Sequence, residues 1–299
     1  PCPEFVRSLK AINECIEIIP AHIWTPWFSL FGSKSGFDSL NECFQDQTDK
    51  ISAIETGLSS NPEMNWQVSQ LDNMQILSFS DSHSHWPWRI GREATIFEIE
   101  PDYKSLLRAI QTGEGLAATI EVDPNYGKYH YDGHRNCQIM FSPEESKKHN
   151  NICPICKKTL TIGVMYRAKE LSDRQGTKST AAKPYYTLVP LAELISAQLK
   201  SAVASNKVTE EYYRILKQNN EFEVMLELPK EELLKRTGEQ MVELILKNRE
   251  GNLFVKPGYD GVYGELVLDM EKSEDKVESK IAQSRPLQTG LNEFFTQAK

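Results

Sequence analysis

A carboxylate and an imidazole lie two residues apart at Asp81 and His83, directly after the apolar segment 74–79. That segment predicts a buried strand, and residues two apart along a strand point to the same side. Asp and His are both ligands of divalent metal ions. Sheets and barrels place their chemistry at strand ends, so this pair predicts half of a metal site.

Two more candidate ligands, His22 and Glu55, occur at the ends of predicted strands 16–23 and 50–58. Taken singly, each has a structural explanation, since a lone histidine at a strand end is usually structural and Glu55 can cap a turn. With the Asp–His pair they indicate a metal-dependent hydrolase site. A metal there would lower the pKa of a bound water and hold a phosphate.

A second metal site is predicted by two short-spaced pairs, His134–Cys137 and Cys153–Cys156, which fifteen residues separate. Zn²⁺ prefers four nitrogen and sulfur ligands in a tetrahedron, and two such turns supply them. The alternative is three reduced cysteines in a loop. His130 and His149 compete with His134 as the fourth ligand. A closed four-ligand site leaves no position for water, so this Zn²⁺ would be structural.

Aromatic and basic side chains crowd the loops that follow His22 and His83, where they could stack on bases or wedge a duplex. About half of the aromatic residues are expected to pack beneath the loops instead. The lysines after the last cysteine either meet phosphate or form a solvated face. The predicted DNA-binding residues are Trp24, Trp27, Trp86, Trp88, Arg89, Lys157 and Lys158, with Arg92 as a further phosphate ligand.

The order of predicted elements indicates an α/β protein with a mostly parallel sheet or a barrel. Strands and helices alternate over residues 1–124, with helices predicted at 5–15, 36–44 and 102–112. Residues 125–168 form the predicted zinc module. Residues 169–270 are predicted to be mainly helical, and 271–299 to be a charged, disordered tail.

Composition narrows the partners and the location. The net charge of −8 does not favour a general polyanion binder, so a nucleic-acid role requires a locally basic surface. The sequence contains no apolar run of membrane-spanning length and no visible secretion signal. Six cysteines in such a chain indicate reduced thiols or metal ligands, and we predict a cytoplasmic protein without a membrane partner.

Several longer stretches, among them 20–27, 55–59, 80–84, 88–94 and 127–134, resemble the endonuclease Q family of DNA repair nucleases. The resemblance covers nearly the whole chain. It implies the C-terminal part of a distorted PHP β/α barrel with a cluster of divalent metals (Zn²⁺, Mg²⁺ or Mn²⁺). In that barrel His22 would be a late ligand, and Asp81 and His83 the closing pair. It also implies metal-dependent cleavage of DNA 5′ of uracil, hypoxanthine, xanthine or abasic sites.

The resemblance has one departure. A PHP domain opens with a His-x-His strand and further ligands before the segment that contains His22, and this sequence has no such stretch. An N-terminally truncated form is therefore expected, which can be an inactive fragment.

Near the C-terminus the sequence has the spacing Gln-x-x-Leu-x-x-Phe-Phe at Gln288, Leu291, Phe294 and Phe295. The pattern resembles the motif that docks on the sliding clamp PCNA, and in a single helical turn Leu291 and Phe294 share a face. The alternative is a helix that packs on its own domain. Clamp docking implies an archaeal source.

Two other functions remain open at this stage. A small-molecule phosphoesterase is the other common use of a PHP barrel, although the zinc module, basic loop and clamp motif argue against it. A non-catalytic DNA-binding or clamp-binding module also fits a chain without the first barrel ligands.

Overall fold

The computed structural model describes residues 1–174 and 182–268. The helices are α1 Cys2–Ile12, α2 Leu40–Phe44, α3 Pro62–Asn65, α4 Pro87–Ile90, α5 Tyr103–Thr112, α6 Pro143–Lys148, α7 Val164–Leu171, α8 Leu191–Leu199, α9 Asn206–Leu216, α10 Lys230–Leu234 and α11 Glu239–Arg249. The strands are β1 Ala53–Glu55, β2 Gln75–Leu77, β3 Ala94–Phe97, β4 Leu116–Glu121, β5 Asp132–His134, β6 Ile139–Phe141, β7 Tyr185–Thr187, β8 Phe254–Lys256 and β9 Glu265–Val267. Within these ranges no helix combines the length and apolar composition that a bilayer span requires.

The strands that matter for the candidate site belong to two small sheets. β1 and β2 pair in parallel, while β4 pairs antiparallel with β3 and parallel with β7. Ser78, just beyond β2, joins the two sheets: its N–H donates to Thr95 Oγ1 (3.0 Å) and its hydroxyl to the Ile120 carbonyl (2.9 Å). The α/β class is therefore confirmed, and closure into a PHP barrel remains a prediction.

The helix of 102–112 shows how local sequence fixes an element. The Asp102 side chain accepts the Ser105 N–H as N-cap, and Gly113 adopts φ +74° at the C-terminus. Both positions are occupied by residue types that favour those conformations. In the C-terminal part, α10 and α11 are separate helices, with Gly238 as the N-cap of the second.

The strand expected at 16–23 does not form. The segment runs beside β1, where the Pro20 carbonyl accepts the Glu55 N–H and the Ile23 N–H donates to the Glu55 carbonyl. Pro20 has no N–H, and His22 turns the backbone at φ +32°, so a regular ladder is interrupted. The helix expected at 36–44 also begins late, at Leu40, because the Ser39 side chain caps it there.

Buried side chains form clusters that cross the predicted domain boundaries. Trp88, Ala118 and Ile120 share one hydrophobic core with residues of helices α8, α9 and α11. A second core combines the N-terminal region with α7, through Trp24 and Val164. The division into domains stays a prediction, and each of these two cores contains residues of more than one predicted domain.

Candidate functional site

Four side chains of the zinc module converge. The ligand atoms of His134, Cys137, Cys153 and Cys156 all lie within 4.8 Å of one another, with Cys156 Sγ 3.5 Å from His134 Nδ1. The first pair stands on the β5–β6 hairpin and the second on the turn after residue 152. This donor set and spacing fit a tetrahedral Zn²⁺.

The two turns share a backbone feature, a left-handed residue directly after the second ligand. Gln138 and Lys157, which follow the second ligand of each pair, adopt left-handed φ values of +53° and +60°. Although burial opposes it, the N–H groups of Cys156 and Ile155 hold the pKa of the Cys153 thiol below its usual value. Thiolate, the metal-binding form, is therefore favoured at Cys153 by the turn itself.

The Cys137 thiol shows why a cation suits the cluster. Burial, then hydrogen bonds with Cys156 and Cys153, raise the pKa of the Cys137 thiol to about 11. Several thiolates in one place repel one another unless a positive ion lies between them. The residues present therefore fit a metal ion such as Zn²⁺.

The competing histidines have other partners. His130 is buried, with Nδ1 3.0 Å from the Ser59 carbonyl. The ring of His149 stacks on Phe141 at 4.7 Å between centroids. The fourth member of the cluster is therefore His134.

A loop from the C-terminal region supports this hairpin. The Arg135 N–H donates to the Asp260 carboxylate at 2.6 Å, and the Tyr259 ring lies directly against Gly133. A β-carbon at Gly133 would come within 2.4 Å of that ring, so only glycine allows the contact. The Gly-rich turn after residue 257 thus positions the first ligand pair.

Asp81 and His83 come together in a loop beyond β2, rather than on one side of a strand as their spacing predicted. His83 Nε2 lies 2.8 Å from Asp81 Oδ1, and the two side chains are 82% and 42% exposed. They lie beyond the end of β2, in a loop where φ is positive at both residues: +40° at Asp81 and +47° at His83. The pair therefore presents one nitrogen and one carboxylate to solvent at the strand end.

His22 and Glu55 lie nearby but are not joined to that pair. His22 Nδ1 is 3.0 Å from Ser29 Oγ, and the His22 N–H donates to Glu55 Oε2 at 2.7 Å. Burial raises the pKa of Glu55, and the charge of Asp81 contributes in the same direction. Among the described residues the His134 cluster is the only group of three or more side chains placed to share a metal. His22, Asp81 and His83 therefore supply an incomplete ligand set.

Two buried carboxylates behind this edge were missed by sequence reasoning. Glu121 accepts hydroxyl hydrogen bonds from Thr119 (2.6 Å) and Thr56 (2.8 Å), and burial raises its pKa to about 7. Burial and the charge of Glu121 raise the pKa of Glu93 well above its usual value. The mainly apolar residues 116–120 directly before Glu121 are the sequence signal that could have pointed to it.

The predicted aromatic contacts divide into two classes. Trp24 and Trp88 are only 1% and 4% exposed, and the Trp24 indole N–H donates to Asn65. They support the loops from below and cannot stack on a base in this conformation. Trp27 and Trp86 are exposed at 38% and 45%, so they remain candidates.

A cationic cleft adjoins the Asp81 loop. Arg92 donates to the carbonyls of Ser80 (2.7 Å) and Asp81 (2.8 Å). Burial, then the charge of Arg89, lowers the pKa of Arg92, so the two guanidinium groups are close. Both line an open cleft, together with Trp88, Tyr126, Glu193 and Tyr263.

The remaining predicted contacts are less informative. Lys157 donates to the Pro154 carbonyl of its own turn at 2.9 Å, and Lys158 is exposed beside it. Either lysine can still meet a phosphate. Gln288, Leu291, Phe294 and Phe295 lie outside the described residues.

Known proteins resemble this chain over most of its length. The family model of the MJ0043 C-terminal domain matches residues 190–252. The uncharacterized protein MJ0043 of Methanocaldococcus jannaschii is 33% identical over 258 residues, which cover 84% of this chain and 32% of that protein. The uncharacterized protein YqxK of Bacillus subtilis is 31% identical over 252 residues, covering 83% and 60% respectively. The chain thus spans about a third and three fifths of these relatives.

Two solved structures share the fold. One is the lesion-specific endonuclease PfuEndoQ from Pyrococcus furiosus, with a TM-score of 0.79 and 30% identity, covering 94% of this chain and 69% of that one. The other is endonuclease Q in complex with a 27-mer duplex substrate with an abasic lesion at the active site, with a TM-score of 0.80 and 30% identity. That match covers 93% of this chain and 69% of the other.

Proposed function

Because this chain belongs to the endonuclease Q family, we propose that it acts on damaged DNA as part of a repair endonuclease. The proposed reaction is hydrolysis of the phosphodiester 5′ of a deaminated base (uracil, hypoxanthine or xanthine) or of an abasic site. The proposed partner is duplex DNA, which is also the ligand of one related structure.

The observation that carries this proposal is the bonding of Arg92 to the Asp81 loop. Because Arg92 lines the cleft and holds the Ser80 and Asp81 carbonyls, the cleft and the Asp81–His83 pair form one surface. Arg89 adds a second guanidinium there, and exposed aromatic side chains flank it. Alternating cations and aromatic rings suit a nucleic-acid strand better than a small phosphate ester.

The cleft also offers a way to favour deaminated bases. The Tyr126 hydroxyl donates to Glu193 Oε2 at 2.9 Å, and no donor among the described residues contacts Oε1. Deamination converts the ring acceptor N3 of cytosine, or N1 of adenine, into an N–H donor. We therefore propose that Glu193 accepts this N–H from flipped uracil or hypoxanthine, whereas cytosine and adenine would place an acceptor against the carboxylate.

The metal requirement is proposed in two parts. The His134 cluster would hold a structural Zn²⁺ that fixes the hairpin beside the C-terminal turn. At the strand end, a divalent ion (Zn²⁺, Mg²⁺ or Mn²⁺) would supply an activated water when bound. Asp81 and His83 offer two adjacent ligands for it, while His22 Nδ1 contacts Ser29 Oγ, and the described residues bring no third ligand into the same group.

That incompleteness favours a second candidate function, a DNA-binding module without catalysis of its own. In both cases the surface around Asp81 would meet the damaged strand. The candidates differ in whether the bound strand is cut.

The test is incubation of the chain with a uracil-containing duplex and Mg²⁺ or Mn²⁺. A nick on the 5′ side that Asp81→Asn abolishes supports the nuclease. Asp46→Asn is the matched control, because Asp46 is an exposed carboxylate in an ion pair with Arg7. Binding without a nick supports the module, and equal binding of damaged and undamaged duplex contradicts both proposals.

Recruitment to PCNA and a cytoplasmic location are further proposals. The first rests on the sequence motif from Gln288 to Phe295, and the second on the similarity to endonuclease Q structures. Clamp pull-down with the double variant Phe294→Ala, Phe295→Ala tests docking: unchanged capture contradicts it.

A further inference from the structure

Phe28 is the most exposed large apolar side chain among the described residues, at 92%. It occupies the tip of the loop between His22 and α2. Its neighbours Trp24, Leu30 and Phe31 are all buried in the core below. The loop thus uses several apolar residues to anchor itself and leaves one to project into solvent.

The tip is held by hydrogen bonds on both sides. The Phe28 N–H donates to Ser35 Oγ at 2.9 Å, and the Lys34 N–H donates to the Pro26 carbonyl at 2.9 Å. The Trp27 carbonyl accepts the Ser29 hydroxyl at 3.3 Å. An aromatic ring on such a tip is presented in a fixed place, so little ordering is needed when a partner binds it.

The residue type is unusual for this backbone. Phe28 has φ +56°, a conformation that Gly and Asn adopt at lower cost than Phe. The ring gains little from burial within its own chain. A phenylalanine here is therefore explained by neither the turn nor the core.

The tip adjoins the proposed DNA surface. Ser29, the next residue, contacts His22 Nδ1, and His22 in turn contacts Glu55 beside Asp81. On the other side the Trp27 ring meets Tyr129 edge-on at 5.7 Å, and Lys128 lies 5.5 Å from the Tyr129 ring centre.

Charge favours DNA as the occupant. Lys34, whose N–H donates to the Pro26 carbonyl, and Lys128, which lies over the Tyr129 ring, belong to segments that contact the tip. The carboxylate of Asp38 is neutralised by an ion pair with Arg167. The whole chain carries a net charge of −8, so this locally basic surface around an aromatic tip is selective rather than general.

We propose that Phe28 enters the base stack beside the lesion and holds the duplex open there. This inference rests on the proposed function. Inserted apolar side chains unstack adjacent bases in this way, and a lesion lowers the cost of doing so. Phe28 is then a positioning residue: it leaves the chemistry to other groups and holds the extruded nucleotide out of the helix.

The experiment uses the whole chain and a duplex with an abasic site, in which 2-aminopurine lies opposite the lesion. Unstacking raises 2-aminopurine fluorescence, so the signal reports insertion without any need for cleavage. Binding is measured in parallel by anisotropy of an end label.

Phe28→Asn is the informative variant, because Asn suits the left-handed backbone and removes the ring. We expect it to lose most of the fluorescence rise and to bind the duplex about tenfold more weakly, the loss of one stacking contact. Phe28→Trp should keep the rise. Ile12→Ala, which removes an exposed apolar side chain on α1 (77% exposed), should match the wild type.

The outcomes separate the inference from its premise. A full fluorescence rise with Phe28→Asn, or tight wild-type binding without any rise, overturns the insertion of Phe28 and leaves the proposed function intact. A wild-type chain that does not distinguish the lesion duplex from undamaged DNA overturns the proposed function, and with it the insertion of Phe28.

Discussion

The His134 cluster and the Asp81–His83 pair are both metal-ligand sets, but they are built differently. The first gathers four ligands from two short turns, with Cys153 fully buried. The second presents two ligands on an exposed loop beyond β2. Ligands fixed by local turns form a closed site, whereas the number of ligands at strand ends depends on how many strand ends meet.

The supports differ as well. Each turn of the cluster carries its own left-handed residue and its own backbone hydrogen bonds. The Asp81 loop is held by Arg92 and stands in front of the buried acids Glu93 and Glu121. We therefore expect loss of a cluster ligand to act on stability, and loss of an exposed ligand to act on function.

The largest effect should follow Cys153→Ser. It removes the buried thiolate of the cluster, so bound Zn²⁺ should fall to near zero and the free energy of unfolding by more than about 3 kcal/mol. Metal analysis and urea unfolding measure the two. Cys15→Ser, at an exposed thiol outside the cluster, is the control and should change neither. Retention of full zinc occupancy by Cys153→Ser would contradict the assignment.

A smaller effect concerns pH and the acids behind Asp81. Burial raises the folded-state pKa of Glu121 to about 7, above its usual 4.5, so its contribution to stability is complete below the unfolded value and disappears as pH rises through 7. We expect the ionisation of Glu121 to lower the free energy of unfolding by about 2 kcal/mol as pH rises from about 5 to about 8.

Glu121→Gln tests that expectation by urea unfolding at both ends of the range. The variant should lose much of the pH dependence because its side chain cannot ionise. Glu114→Gln, at an exposed carboxylate paired with Arg108, should keep the wild-type slope. An unchanged slope in Glu121→Gln would show that Glu121 is not the responsible group.

The smallest effect should follow His83→Asn. The His83–Asp81 pair is exposed, so its removal should change the free energy of unfolding by less than about 1 kcal/mol. Asn also accommodates the positive φ of residue 83. Urea unfolding measures the change. A loss of more than about 2 kcal/mol would mean that the pair holds the loop together and that the two sites are less different than proposed.

Much of this molecule follows from local patterns. The ligand spacing of the zinc module predicted the cluster, and the helix predicted at 102–112 forms as α5, between the caps Asp102 and Gly113. The strand predicted at 16–23 was wrong because apolar alternation does not report the missing N–H of Pro20 or the turn at His22. Periodicity describes which side chains are buried and is silent about which backbone groups find partners.

The aromatic residues show the same limit. Sequence placed Trp24, Trp27, Trp86 and Trp88 in two loops without separating the buried ones from the exposed ones. Exposure was decided by packing: Trp88 joins the core of the C-terminal helices. Glu93 and Glu121 were missed because two acids 28 positions apart become neighbours only when β3 and β4 pair.

The sequence by itself determined the three cysteine ligands of the metal cluster, the Asp81–His83 spacing and the resemblance to endonuclease Q, because each rests on short runs of neighbouring residues. Only the tertiary structure decided that His134 completes the cluster, that His22 contacts Ser29 and Glu55, and that Phe28 projects into solvent. Those facts depend on which distant segments pack together. The free energy of packing is a sum over residues of the whole fold, so no single stretch of sequence determines it.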